Sequence, residues 1–253
     1  MTTETTAARA RRTPELLGQT VVVIGGSAGI GLETARRARA EGADVILTGR
    51  DPDRLREPAR QLEALSTSTF DATDAAALDR FFGDMPGPID HVMVTAGGPY
   101  YAPLQEMDLA LARRHVAERL GVVLGVARNA IGRVRPGGTL LFIGGTGGRR
   151  TGVGLSIIRA MTAALPALVA NLAVEVAPIR INLIAPGFVD TPLSASLLGD
   201  QLDARREQLR ATLPIGRVVG PDDVAALAVH LMINTALTGA TYDVDGGQQF
   251  VPA

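Results

Sequence analysis

Short apolar runs alternate with helical patterns along almost the whole chain, and that rhythm restricts the fold more than any other feature. The runs are VVVIG (21–25), DVILTG (44–49), STF with its flanks (67–70), DHVMVTAG (90–97), TLLFIGG (139–145), RINLIAPG (180–187) and ATYDVDGG (240–247). Amphipathic stretches fall between them, near 30–41, 52–64, 74–83, 108–134, 155–176 and 222–233. In the last, Val224, Leu227, Ala228 and Leu231 recur at i, i+3, i+4 and i+7 behind a Pro221-Asp222 start, the spacing of one helix face. Strands that are apolar nearly throughout lie in a sheet buried on both faces, and their alternation with helices makes it parallel. No repeat or long linker divides the chain, so the expected fold is α/β: one doubly wound Rossmann domain of about seven mostly parallel strands. Ordered structure is expected from Thr13-Pro14 onward, with residues 1–13 a disordered tail. The stretch 188–220 breaks the rhythm. Its Leu197, Leu198, Leu202 and Leu209 beside Arg205 and Arg206 predict short helices lying over the sheet edge as a lid.

Composition removes several chemistries. The chain has no cysteine, so disulfides, thiolate metal sites and cysteine nucleophiles are excluded. All 25 basic residues are arginine. Any mechanism needing a lysine, from a Schiff base to a lysine-assisted tyrosine, is excluded with them. The net charge of -1 gives no general pull toward nucleic acid or an anionic membrane. His91, His115 and His230 are scattered, and no metal site is assigned. The polar start lacks a hydrophobic targeting core, and no run approaches ~20 uninterrupted apolar residues. A cytoplasmic location is the expectation.

The first strand ends in Ile24-Gly25-Gly26-Ser27-Ala28-Gly29-Ile30-Gly31, and a helix opens there. Gly25, Gly29 and Gly31 permit a tight turn, and the backbone of Ser27 and Ile30 can then approach a pyrophosphate. The helix N-terminus adds about half a positive charge. The second strand ends Thr48-Gly49-Arg50. NAD binders commonly place an acid there for the ribose 2′-hydroxyl, where this chain has Gly49. Arg50 suits a 2′-phosphate. Asp51, followed by Pro52, reads as the cap of the next helix. NADP(H) is therefore the expected cofactor.

These blocks, with Phe70-Asp71-Ala72, Thr95-Ala96-Gly97, INLIAPGFVDTPL (181–193), PIGRVVGPDDVAALAVHLM (214–232) and VDGG (244–247), resemble the short-chain dehydrogenase/reductase family from about 18 to 249. The resemblance implies strand order 3-2-1-4-5-6-7. It implies that Asp71 accepts from the adenine amine, with Ala72 packed near it, and that Ala96 and Gly97 line the adenosine ribose. It also implies that Pro186, Gly187, Val189 and Thr191 hold the nicotinamide end.

The family's usual chemistry uses a Tyr with a Lys four residues later, a Ser and an Asn. Here the matching positions are Ile158, Thr162, Gly145 (one residue before Thr146) and Glu118, and tyrosine occurs only at 100, 101 and 242. Ordinary carbonyl reduction is thus not expected, and no catalytic residue is assigned. Tyr100, Tyr101, Thr146, Thr151 and Glu118 remain as groups able to donate or accept, each with a packing, capping or ion-pairing role as the plainer reading; for Glu118 the partner would be Arg113 or Arg114. Arg149-Arg150 can attract an acidic substrate or form a solvated pair. The expected function is an NADP(H)-dependent oxidoreductase using a non-standard proton donor on a small molecule. The alternatives are an inactive NADP(H)-binding sensor or partner subunit, and an isomerase or lyase reusing the pocket. The apolar surplus at 108–134 and 155–176, segments that pair subunits in relatives, predicts a homodimer or homotetramer.

Overall fold

The computed structural model describes residues 14–251, so the expected tail at 1–13 lies outside the described residues. Seven strands form one sheet in the order β3-β2-β1-β4-β5-β6-β7, with every ladder parallel. They are β1 Thr20–Ile24, β2 Asp44–Gly49, β3 Ser66–Thr69, β4 Ile89–Val94, β5 Val134–Ile143, β6 Arg180–Pro186 and β7 Thr241–Val244. The helices are α1 Gly29–Ala40, α2 Pro52–Leu62, α3 Ala75–Gly83, α4 Leu109–Ala130, α5 Ser156–Glu175, α6 Pro192–Leu198, α7 Leu202–Thr212 and α8 Pro221–Ile233.

Side chains alternate across each strand, and both faces of the inner strands are apolar, whereas the edge strand β3 is Ser-Thr-Ser-Thr and largely exposed. Val22 and Ile24 of β1 join Leu140 and Phe142 of β5 in a core closed by α3, α4 and α5. Val21 and Val23 join Leu141 in the opposite core, beneath α1, α2 and α8. Helix starts are specified locally. Asp51, Asp74 and Asp108 accept from the first backbone N–H groups of α2, α3 and α4, the arrangement expected of an N-cap.

Two boundaries differ from the pattern. The helix expected over 108–134 stops at Ala130, and β5 already begins at Val134. Arg135-Pro136-Gly137-Gly138 is a turn-like sequence, yet it enters the sheet edge through a shift of register between Ile89 and His91. The stretch 188–220 forms α6, a single 3₁₀ turn over Gly199–Gln201 and α7. Its two ends are pinned by a parallel bridge between Val189 and Val219.

Among the described residues, α5 is the one helix long and apolar enough to cross a membrane by length and composition, with mean hydropathy 1.7, and only 22% of that stretch is buried. One face of it packs into the domain, with Met161, Leu165, Val169 and Leu172 buried. The uncovered remainder of this helix adjoins an apolar groove of about 340 Å³ lined by Leu109, Ala112 and Val116 of α4 and Ile157 of α5.

Candidate active site at the carboxyl edge of the sheet

The chain leaves β1 toward β2 and β3, then returns to place β4 on the other side of β1. Open α/β sheets bind ligands in the crevice at such a reversal, beyond the carboxyl ends of the strands. The glycine loop sits there. Gly25 has φ +97°, and a Cβ on it would stand 2.6 Å from the Thr95 hydroxyl oxygen. A Cβ on Gly31 would stand 2.2 Å from the Gly25 carbonyl oxygen, so no larger residue fits without moving the loop. Thr95 donates to that same carbonyl at 3.0 Å, tying the loop to the end of β4 beside Ala96 and Gly97.

Two features of this crevice fit a dinucleotide. The start of α1, at Ala28, has no side-chain cap, unlike α2, α3 and α4, and no acid in its first turn. Its free N–H groups next to Ser27, Gly29 and Ile30 suit a pyrophosphate. Thr191, from the far side, covers the loop: a Cβ on Gly29 would lie 3.4 Å from the Thr191 side chain. The Thr191 hydroxyl also caps α6 through Ser194 N–H.

The ends of β2 and β3 are equally well defined. Asp51 is engaged as the α2 cap, accepting from Asp53 N–H at 2.9 Å, and so is not available as the acid of an NAD site. Arg50 is exposed, and Asp71 lies within its field. The Asp71 carboxyl is held below its usual range, chiefly by Thr73 N–H at 2.9 Å, with Arg50 a smaller contributor. Ala72 is buried. At the other end Pro186 and Val189 are buried. Gly187 abuts the C-terminal segment, where a Cβ would meet Gln248 Oε1 at 2.5 Å, and that same oxygen accepts from Phe188 N–H at 2.7 Å. Gln248 therefore helps shape the Pro186–Val189 loop, a part it could not be given from its place near the chain end.

The positions matched to catalytic groups are structurally defined. A Cβ on Gly145 would contact only the Pro186 carbonyl, at 3.6 Å, so a serine would fit. Thr162 is pressed against the 3₁₀ turn Gly147–Arg149: a Cβ on Gly148 would stand 2.3 Å from Thr162 Oγ1 and 2.9 Å from the Ile158 carbonyl. The turn thus lies directly on the helix where a tyrosine and lysine would project. Thr146 is buried, and its N–H donates to Pro186 O at 2.9 Å. Glu118 pairs with Arg114 at 3.3 Å, the plainer of its two readings.

Arg149 is exposed and Arg150 half-buried, and both are engaged within the protein. Arg149 grips Asp243 with two nitrogens, one at 2.7 Å, and also donates to Gln249. Arg150 donates to the Gln248 and Val251 carbonyls. Together they staple the turn to the C-terminal segment. Tyr100 stacks on His115 with ring centroids 5.8 Å apart. Tyr101 is 53% exposed, and partial burial of its hydroxyl pushes its pKa up, which makes it a poorer acid. No group of His, Asp and Glu able to hold a metal occurs among the described residues. One residue the sequence reading passed over is at the centre of the edge: Arg119 of α4 donates to Ala96 O at 3.2 Å and to Ile143 O.

A glycine loop at a sheet reversal, an uncapped helix above it and a glycine-lined strand end beside it define a nicotinamide-nucleotide-binding Rossmann domain. A family model described as enoyl-(acyl carrier protein) reductase matches residues 25–249. A 3beta-hydroxysteroid dehydrogenase 1 from Eggerthella lenta is 32% identical over 255 residues, covering 94% of this chain and 96% of the relative. The chain belongs to the short-chain dehydrogenase/reductase family, and its type is that of an oxidoreductase. The structure of MalC reductase/Diels-Alderase from Malbranchea aurantiaca superposes with TM-score 0.87 at 24% identity, covering 94% of this chain and 99% of that one. BdcA in complex with NADPH superposes with TM-score 0.81 at 28% identity, covering 92% and 95%.

Proposed function

We propose that this protein is an NADP(H)-dependent oxidoreductase whose active site works without the tyrosine–lysine pair. The observation that carries the cofactor choice is the end of β2, where Gly49 leaves no acid, Asp51 is occupied as a cap and Arg50 is free to meet a phosphate. Binding of NADPH by a structural relative supports the same reading. When bound, NADPH supplies hydride at its nicotinamide.

The protein's part is to hold and to exclude. The backbone of Ser27, Gly29, Ile30 and Gly31 with the start of α1 takes the pyrophosphate. Asp71 and Ala72 receive the adenine, Ala96 and Gly97 its ribose, and Pro186, Gly187, Val189 and Thr191 the nicotinamide end. The segment 188–220 is the lid. Its α7 is anchored by Arg206, which grips Asp190 at 2.7 and 2.9 Å, so closure would bend the chain elsewhere, between Thr191 and α7. The uncovered apolar faces of α4 and α5 support a homodimer or homotetramer, and the protein works in the cytoplasm.

With neither lysine nor a tyrosine on α5, general acid catalysis of ketone reduction is missing. The test is NADPH oxidation with a panel of ketones, enones and imines, with products identified. Turnover of activated acceptors with NADPH supports the reading. NADPH binding with no turnover of any acceptor would make it a binding protein instead.

A further inference from the structure

Burial lowers the pKa of Arg119, Arg180 and Arg205, and the first two differ in a way that assigns a role to one. Arg180, at the start of β6, donates to five backbone carbonyls: Gly137, Leu231, Met232, Asn234 and Leu237. It is saturated and holds the amino-terminal edge of the sheet together. Arg119 reaches the opposite, carboxyl edge. Its Nη1 and Nη2 donate to Ala96 O, just past β4, and to Ile143 O, at the end of β5. A guanidinium carries five N–H donors, so most of its capacity is unspent.

Arg119 also lacks a counter-charge. The adjacent acid, Glu118, is turned to Arg114, and no Asp or Glu pairs with Arg119 among the described residues. Burial lowers its pKa from the usual arginine value, yet an arginine stays protonated in proteins. Arg119 is half-buried; a cation partly withdrawn from water without an anion is costly, and its place in the crevice points to a ligand as the source of that anion. His115, one turn earlier on the same helix face, stacks on Tyr100. Burial first, then the Arg119 charge, pushes the His115 pKa down, against a smaller opposing effect of Glu118.

We propose that Arg119 is a catalytic residue that binds the carbonyl oxygen of a conjugated carbonyl substrate and holds the negative charge that forms there. The inference rests on the reading of the chain as a nicotinamide-dependent oxidoreductase. Addition of hydride to the β-carbon forms the new C–H bond. The C=C electron pair moves toward the carbonyl, whose oxygen becomes an enolate oxygen held by the guanidinium. The α-carbon then takes a proton from water. Arginine cannot give up its own proton, so a simple ketone, whose alkoxide needs one at oxygen, is a poor substrate. An enolate, a weaker base protonated at carbon, is a good one.

The test compares wild type with Arg119→Met and Arg119→Lys, each saturated with oxidised NADP. The probe is 4-nitrophenol, whose coloured anion stands in for the enolate. Wild type should bind the phenolate and lower its apparent pKa. Arg119→Met should lose that shift, and Arg119→Lys should keep part of it. Enone turnover at saturating NADPH should fall by about 10²–10³-fold in Arg119→Met, the usual cost of losing one oxyanion donor. A thermal melt of each variant shows whether it folds. An equal phenolate shift in wild type and Arg119→Met, or no shift in wild type, overturns the assignment. Failure of wild type to bind NADPH overturns the oxidoreductase reading instead.

Discussion

Replacing Arg50 should change the choice between the two nicotinamide cofactors, and its size follows from what surrounds the residue. Arg50 is exposed at the end of β2 and makes no hydrogen bond among the described residues; among them, the charge it is seen to influence is that of Asp71. Two unit charges at 4 Å in water interact by about 1 kcal/mol. A phosphate near two negative charges therefore gains about 2 kcal/mol, inside the range of about 1.5–3 kcal/mol for a charge-assisted hydrogen bond. At about 1.4 kcal/mol per decade this is roughly 10- to 100-fold in favour of NADPH over NADH. Arg50→Ala should weaken NADPH by that factor and leave NADH within about twofold. Adding Gly49→Asp should reverse the preference. A Cβ at Gly49 meets only the Leu55 side chain at 3.4 Å, so the acid is accommodated. The assay is a fluorescence titration of both cofactors, repeated at about 1 M salt, where a Debye length of about 3 Å shrinks the preference. Equal affinities in wild type, or equal losses in the variant, would refute the reasoning.

Three other outcomes follow from the geometry. Stability should fall on acidification because of His91, which burial holds neutral with a pKa of about 4 against 6.5 for the free side chain. Since the unfolded chain takes up that proton first, the loss runs from about pH 6.5 down to about 4 and totals about 3 kcal/mol. Urea melts across that range should show His91→Leu to have a flatter profile, and an unchanged slope would count against it. Sedimentation should find a dimer or tetramer at micromolar concentration, converted to monomer by Val116→Glu in the α4–α5 groove; a wild-type monomer would end that reading. Simple ketones should be reduced slowly or not at all, and Ile158→Tyr alone should recover little, because a tyrosine without a neighbouring cation keeps its pKa near ~10 and the Gly147–Arg149 turn occupies the space beside it. Ketone rates in wild type matching those of relatives would show that another group supplies the proton.

The sheet was legible because its strands are apolar on both faces, and the alternation of Val21 and Val23 with Val22 and Ile24 serves both cores. The glycine loop was legible because a Cβ on Gly25 or Gly31 would collide with Thr95 or the Gly25 carbonyl. Asp51 as a cap and Glu118 as an ion-pair partner were readable from local spacing alone. The start of β5 was not, since Arg135-Pro136-Gly137-Gly138 has the composition of a turn and only pairing in the sheet draws it into a strand. The partners of Arg149 and Arg150 were not readable for a related reason: Asp243, Gln248 and Val251 lie about a hundred residues away. Arg119 was missed because an arginine beside a glutamate on a helix looks like a solvated pair. Its difference from Arg114 is visible only once α4 lies against the ends of β4 and β5.

The measurement that bears most directly on the central claim is deuteride transfer from NADPH labelled at the reactive nicotinamide carbon, read by mass spectrometry of products from an enone and a matched saturated ketone. The account predicts deuterium at the β-carbon of the reduced enone, an α-proton drawn from solvent, and at most a trace of labelled alcohol from the ketone. Labelled alcohol formed from the ketone as fast as the enone product, or no label in either, would contradict it.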